Sequence, residues 1–264
     1  MAQKNAVEII EAMLHAQSKV STLKVTMYLN ERIKGEILKK KGFFKINYNP
    51  KQVYLKMEYP NNGMEILYSH GQRDNKAIIY PNGFPWINIT LDPYSRTMRE
   101  EHHHAILNSG FEYFGHVVEH LINKHQEALN QCTRYEGIVS FGSIRCHKIS
   151  FNSPGFALEK YTAQPGENIV AIANRFFVNE YMLLERNPKI ANGYEEDLNG
   201  MEIMVPTDYG QEVVIYVQTD TNLPYGIKVF DEKGLFEEYY FTNTEVNVKF
   251  EADEFTTAYK EYNF

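Results

Sequence analysis

Three consecutive histidines behind two glutamates, Glu100-Glu101-His102-His103-His104, are the densest group of chemically capable side chains in this 264-residue sequence. Imidazole and carboxylate bind metals and carry protons. Neighbouring residues alternate sides in a strand and fan out by about 100° each in a helix, so three in a row cannot converge on one ion. His102 and His104 can pair in a strand. His116 and His120 have a ligand-capable spacing on one helix face. Yet the run His116-Val117-Val118-Glu119-His120 is not the His-Glu-x-x-His of a zinc hydrolase, and Val117 and Leu121 share its surface. Cys146 and His147 are adjacent, so a strand would send them to opposite faces and spoil a nucleophile–base pair. Ser140-Phe141-Gly142 lacks the Gly-x-Ser-x-Gly elbow. Asp220 and Asp231 sit at turns, where carboxylates bond the backbone. No glycine-rich phosphate loop is present. The sequence thus predicts no catalytic set, no metal site, no cofactor and no enzyme.

Composition narrows the partners. Lys plus Arg is 27 and Asp plus Glu is 34, a formal charge of −7, which argues against nucleic acid. A hydrophobic content of 43% can build a core. Two cysteines make neither a disulfide scaffold nor a four-thiolate zinc site, and Cys132 and Cys146 are either a cross-strand disulfide or two buried thiols. No run approaches the ~20 apolar residues of a membrane span.

The elements that must position these residues follow from periodicity. Residues 6–20 place Val7, Ile10 and Leu14 on one stripe of an amphipathic helix. Residues 22–91 then hold about six short alternating strands separated by Asn-Pro, Pro-Asn-Asn-Gly and Pro-Asn-Gly turns. Residues 110–130 return to helix, with Phe111, Phe114, Val117, Val118 and Leu121 on one side. Two strands follow, then a small α/β unit, then three or four strands and an acidic, aromatic tail. Strands of one character on both sides of the unit predict an insertion: a β-rich host at 1–156 plus 207–264, interrupted by 157–206.

Within the insertion, Lys160–Ala163 reads as a strand and Gly166 as a tight turn. Glu167 or Asn168 starts a helix that buries Ile169, Ile172, Ala173 and Phe176. Asn179 caps a second helix with Met182 and Leu183 facing inward. Asn187-Pro188 stops it, and Met201–Val205 closes a β-α-α-β unit. Tyr161-Thr162, Gly166-Glu167, Ile169, Ile172-Ala173, Asn187-Pro188, Leu198, Gly200, Ile203 and Val205-Pro206 together make residues 160–206 resemble a LysM domain. That resemblance implies binding of peptidoglycan or N-acetylglucosamine oligomers between two loops. One is Gly166, Glu167, Asn168 and Ile169; the other is Asn187, Pro188, Lys189 and Ile190, extending to Ala191. The sequence has Gly166-Glu167-Asn168 where the family commonly has Gly-Asp-Thr or Gly-Asp-Ser, which leaves a non-binding LysM scaffold as an alternative.

The stretches KINYNPKQVYLKMEYPNNGMEILYSHGQRDNKAIIYPNG and YVQTDTNLPYGIKVFDEKGLFEEYYFTNTEVNVKFEADEF are similar to an exported bacterial domain of unknown function grouped with LolA- and LolB-type lipoprotein carriers. This implies an α+β fold: a LolA-like, half-open antiparallel β-barrel with helices packed in its concave side. It also implies a cavity for an acyl chain or lipoprotein, with Phe111, Phe114, Val118 and Leu121 as lining candidates. The first residues lack a signal-peptide pattern, which on its own favours the cytoplasm. Both resemblances instead place the protein in the periplasm or cell envelope, with an export signal already removed. The expected function is a non-enzymatic envelope protein that binds peptidoglycan through the LysM-like insert and lipid or lipoprotein in the host. A LysM-targeted cell-wall hydrolase is the competing expectation.

Overall fold

Residues 5–264 are described by a computed structural model. Asn5 opens α1 (Ala6–Gln17) by accepting from the Val7 N–H at 3.1 Å, which satisfies one of the free donors of a helix start. Alternating side chains then run through β1 (Thr22–Ile33), β2 (Glu36–Asn47), β3 (Gln52–Tyr59), β4 (Glu65–Ser69), β5 (Ala77–Tyr80) and β6 (Ile89–Leu91). A short helix α2 (Arg96–Arg99), the longer α3 (Glu112–Lys124) and a turn of helix α4 (Leu129–Cys132) lead into β7 (Thr133–Phe141) and β8 (Ile144–Asn152). After residues 153–211 come β11 (Glu212–Gln218), β12 (Pro224–Asp231) and β13 (Gly234–Val246).

These strands form an eleven-stranded antiparallel sheet in the order β6-β5-β4-β3-β2-β1-β13-β12-β11-β8-β7. The first and last strands of that order do not pair, so the sheet is open. Meander connections explain most of the order: consecutive strands pair within β1–β6, β7–β8 and β11–β13, while β11 pairs with β8 and β13 returns beside β1 to join the halves. One face is covered by α1, α3 and α4. Ile9, Ile10 and Met13 of α1 and Phe114, Val117, Val118 and Leu121 of α3 pack there on Leu23, Val25, Ile215, Ile227 and Phe241. Burying each such side chain stabilises the fold by about 1.5–3 kcal/mol before ordering entropy is counted.

The opposite face carries the C-terminal tail. Tyr262 stacks on Tyr54 at 3.8 Å between ring centroids, and Ser69 Oγ donates to the Phe255 carbonyl at 2.7 Å. Lys45 Nζ donates to Glu254 at 2.6 Å while lying over the Tyr259 and Tyr262 rings. The tail's mixture of acid and aromatic therefore has one role, covering a buried lysine and the outer face of β2–β4.

Residues between β8 and β11 form β9 (Leu158–Thr162), α5 (Ile169–Phe176), α6 (Glu180–Arg186) and β10 (Glu202–Pro206). β9 and β10 make a separate two-stranded sheet, and Ala163, Ile169, Ile172, Ala173, Leu183, Leu198, Ile203 and Val205 form a separate core. Asn168 Oδ1 caps α5 at the Ala171 N–H, and Asn179 Oδ1 caps α6 at Tyr181 and Met182. The chain departs from the sequence reading in α6. Leu183 faces the unit's own core, but Met182 points into the host core, because α6 lies between the two. Ion pairs fix that arrangement: Arg186 with Asp231, and Glu185 with Arg32. The unit is bolted to the host through α6 rather than hung on it.

Cys132 ends α4 instead of lying in a strand, and Cys146 lies in β8; both are free, buried thiols. Of the two alternatives, the disulfide is not formed.

Candidate functional site

Across β2, β1 and β13 the register sets Lys40, Leu29 and Tyr239 side by side, so their side chains share one face. Two residues along, Met27 and Glu31 project on the same side of β1. Leu55 and Met57 of β3, Ile66 of β4 and Phe44 of β2 extend this surface, and Phe114 of α3 closes it laterally. Residues 98–109 cross over the top through Met98, His102, His104, Ala105, Ile106, Asn108 and Ser109. Together they enclose a cavity of about 60 Å³ with apolar walls and a polar end made by Glu31, Lys40, His102, His104 and Tyr239.

The polar end solves an electrostatic problem written into the sheet. Glu31 and Glu237 face each other directly across β1 and β13, and like charges so placed repel. Both are buried. Lys40 Nζ donates to Glu31 Oε2 at 2.6 Å and also to the Glu101 carbonyl. The His103 N–H and the Tyr239 hydroxyl both donate to Glu31 Oε1. Glu237 receives the Tyr209 hydroxyl on Oε1 at 2.7 Å, and on Oε2 it receives His103 Nδ1 at 2.8 Å, His104 Nε2 at 3.1 Å and Asn179 Nδ2 at 3.2 Å. His103 Nε2 donates to the Arg32 carbonyl at 2.9 Å, and its ring lies between Tyr181 and Phe236.

These partners decide the protonation states. Burial opposes ionisation of Glu237, but His104 and His103 outweigh it and hold the carboxyl down to about 2. Burial likewise opposes ionisation of Glu31, and Lys40 with the three histidines overcomes it, keeping this carboxyl well below its usual range. For His102 a downward shift has the opposite consequence, loss of its charge. Desolvation, with Lys40 beside it, pushes it down to about 4, so it is neutral near pH 7. Burial and then Glu237 push the Tyr239 hydroxyl far above its ordinary value, so it remains a donor.

The histidine run is therefore a structural wedge. Its members fan out as the sequence requires: His102 toward Lys40, His103 between two acceptors, His104 toward Glu237 and the cavity. Among the described residues no three His, Cys, Asp or Glu side chains are grouped to hold a metal ion. His116 and His120 do not converge: His116 is exposed beside Glu119, and His120 stacks on Phe177 at 4.2 Å.

The residues expected to line a lipid cavity divide. Phe114 lines the 60 Å³ cavity. Phe111 and Val118 border only a second void of about 10 Å³, which Phe114 shares with Met13, Ile215 and Phe241, and Leu121 is packed in the core. Sequence reasoning missed Met27, Leu29, Glu31, Lys40, Met57 and Tyr239. The signal available was Glu31 and Lys40 within otherwise apolar alternation.

The residues expected to hold glycan lie on two loops beside the core of the βααβ unit, which contains both Ile169 and Ile190. Several of their polar groups already have partners. Glu167 accepts from the Tyr161 hydroxyl at 2.6 Å, Arg175 at 2.7 Å and the Gln164 N–H at 2.8 Å. The Asn168 side chain is used as the α5 cap. Asn187 is buried and bonds the Leu183 carbonyl and both backbone groups of Met204, each at 2.8 Å. Gly166, Pro188 and Lys189 are exposed.

A family model described as a protein of unknown function (DUF1571) matches residues 20–161. No curated protein matches the chain. Among solved structures it is similar to the lipoprotein LppX of Mycobacterium tuberculosis, with 10% identity, a TM-score of 0.43 and coverage of 92% of this chain and 98% of that one. LprF of Mycobacterium bovis has 11% identity, a TM-score of 0.43 and coverage of 92% and 94%. A LolA superfamily protein of Nitrosomonas europaea has 10% identity, a TM-score of 0.36 and coverage of 97% and 100%.

Proposed function

The chain belongs to the DUF1571 family of proteins of unknown function, whose model spans more than half of it, and we propose that it is a non-enzymatic cell-envelope protein holding an acyl chain of a lipid or lipoprotein. The ligand would lie on the concave side of the half-open, LolA-like sheet. The observation that carries this reading is the cavity itself: apolar walls from Met27, Leu29, Phe44, Leu55, Met57 and Ile66, with donors and acceptors gathered at one end. Such a division matches an amphiphile, with a chain along the walls and a polar group at Lys40, His104 and Tyr239. A volume of 60 Å³ admits a few water-sized groups, so a longer chain enters by displacing residues 98–109.

Fluorescent fatty acid titrated into delipidated protein should bind saturably, one per chain, and palmitate should compete. Leu29→Phe, whose ring takes up cavity space, should weaken binding by at least about tenfold, since shutting a ligand group out of the apolar pocket forfeits about 1.5 kcal/mol of burial. Non-saturable binding by the unsubstituted protein would end this reading.

The second part of the reading is that the βααβ unit is a LysM-like tether to peptidoglycan. Its support is a self-contained core flanked by the exposed Gly166 turn and the exposed Pro188-Lys189 loop. Because Glu167, Asn168 and Asn187 have their side chains engaged, recognition there would fall to backbone groups.

A further inference from the structure

Phe84, Trp86 and Ile87 are 87%, 78% and 66% exposed, the three most exposed large apolar side chains among the described residues. They occupy one loop, 81–88, between β5 and β6, whose sequence Pro-Asn-Gly-Phe-Pro-Trp-Ile-Asn carries no charge. Single exposed apolar residues are ordinary, but three on one tip are not.

The position of the tip matters as much as its composition. Asn82 Nδ2 donates to the Asn62 carbonyl at 2.9 Å, tying the loop to the turn between β3 and β4. In that turn, Gly63 N–H donates to the Met57 carbonyl at 2.9 Å, and Met57 lines the cavity. The register agrees: Tyr80, where the loop begins, pairs with Glu65, next to the cavity-lining Ile66. Tyr59 and Pro60, also exposed, border the same turn. The tip thus stands at the end of the sheet that holds the cavity.

We propose that loop 81–88 is a membrane-docking tip that seats Phe84, Trp86 and Ile87 in the interfacial layer of a lipid bilayer. Tryptophan favours that layer because its indole is apolar yet keeps an N–H donor at the headgroup level. The flanking Asn82 and Asn88 stay in water or headgroups. No helix among the described residues is long and apolar enough to cross a membrane, and the tip would make its contact from the surface. The absence of charge on the loop makes the contact hydrophobic, hence insensitive to salt and to anionic lipid. A bilayer is favoured over a protein groove because the neighbouring cavity is built for an apolar ligand. That preference rests on the carrier reading, whereas insertion of the tip does not.

Trp86 is the sole tryptophan, so its fluorescence reports on the tip directly. With the full chain, adding phosphatidylcholine vesicles should shift its emission to the blue, and brominated phosphatidylcholine should quench it. Vesicles containing phosphatidylglycerol, and 0.5 M salt (about a 4 Å Debye length), should change neither result. In co-sedimentation, the Phe84→Ser/Trp86→Ser/Ile87→Ser variant should lose about a thousandfold in partitioning, since each of the three apolar side chains removed is worth roughly tenfold. Unchanged emission with excess vesicles overturns the proposal and needs no variant to be interpreted. A blue shift that follows protein concentration without lipid also overturns it, because a second copy then covers the tip. Fatty-acid binding without a vesicle response would defeat the tip and spare the carrier reading; the reverse result would defeat the carrier reading and spare the tip.

Discussion

Glu237→Ala should lower the stability of the protein by about 3–5 kcal/mol, the range for breaking a buried ion pair by removing one partner. In a chain of this size that is a fall in Tm of roughly 10 °C or more, measurable by differential scanning calorimetry. The carboxylate is fully buried and accepts from Tyr209, His103, His104 and Asn179. Alanine leaves those donors facing a void that no other acceptor fills, and each stranded donor costs about 1–3 kcal/mol. Three of the four bind parts that must stay in register: His103 and His104 belong to the segment above the cavity, and Asn179 caps α6 of the βααβ unit. The damage should therefore spread to both.

Acid provides a second readout of the same carboxylate. Its folded value, about 2, lies below the reference 4.5. A depressed acid contributes stability that is fully present above 4.5 and is lost as pH falls toward 2. Between those limits the stability of Glu237→Ala should change less steeply with pH than that of the unsubstituted protein. If urea midpoints from pH 5 to pH 3 fall in parallel for the two proteins, Glu237 is not the acid-sensitive member of the cluster.

Local order was legible in the sequence and long-range pairing was not. Asn179 reads as a helix cap because a side-chain amide beside an apolar-periodic run has a specific use there, and it performs it; of Glu167 and Asn168, the two residues able to start α5, Asn168 is the cap. Asn187-Pro188 read as a stop, and α6 ends at Arg186. The six-strand meander followed from alternation and turn residues. The Glu31–Glu237 pair escaped because 206 positions separate its members, and period-two alternation says which residues share a face but not which distant strand lies beside them. Only with β13 docked on β1 does the histidine run acquire its purpose. Met182 escaped for a related reason. A helix turning apolar residues toward two different cores looks, one-dimensionally, like a helix with one broad apolar face.

Arg99→Ala should be the other large effect, again about 3–5 kcal/mol, and it tests whether the inserted unit holds the segment that covers the cavity. Arg99, at the end of α2, is buried without exposed surface. Its Nη2 donates to the His103 carbonyl at 2.9 Å and is ion-paired with Glu180 at the start of α6. Its guanidinium lies 3.7 Å over the Tyr194 ring of the inserted unit. Met98, directly before it, and His102 to Ser109 after it contribute the cavity's cover. One side chain therefore joins the cover to the βααβ unit. Removing it strands the Glu180 carboxylate, and hydrogen exchange should rise in residues 98–109 and 180–186 while β1–β3 remain protected. The paired substitution Arg99→Met/Glu180→Met separates two explanations. If the cost of the single variant is mainly an orphaned buried charge, the double variant should recover to within about 1–2 kcal/mol of the original, since apolar groups of similar volume replace buried ion pairs at little loss. A double variant as unstable as Arg99→Ala would instead mean that the directional contacts to His103 and Tyr194 carry the stability, and the charge pair would lose its place as the clamp.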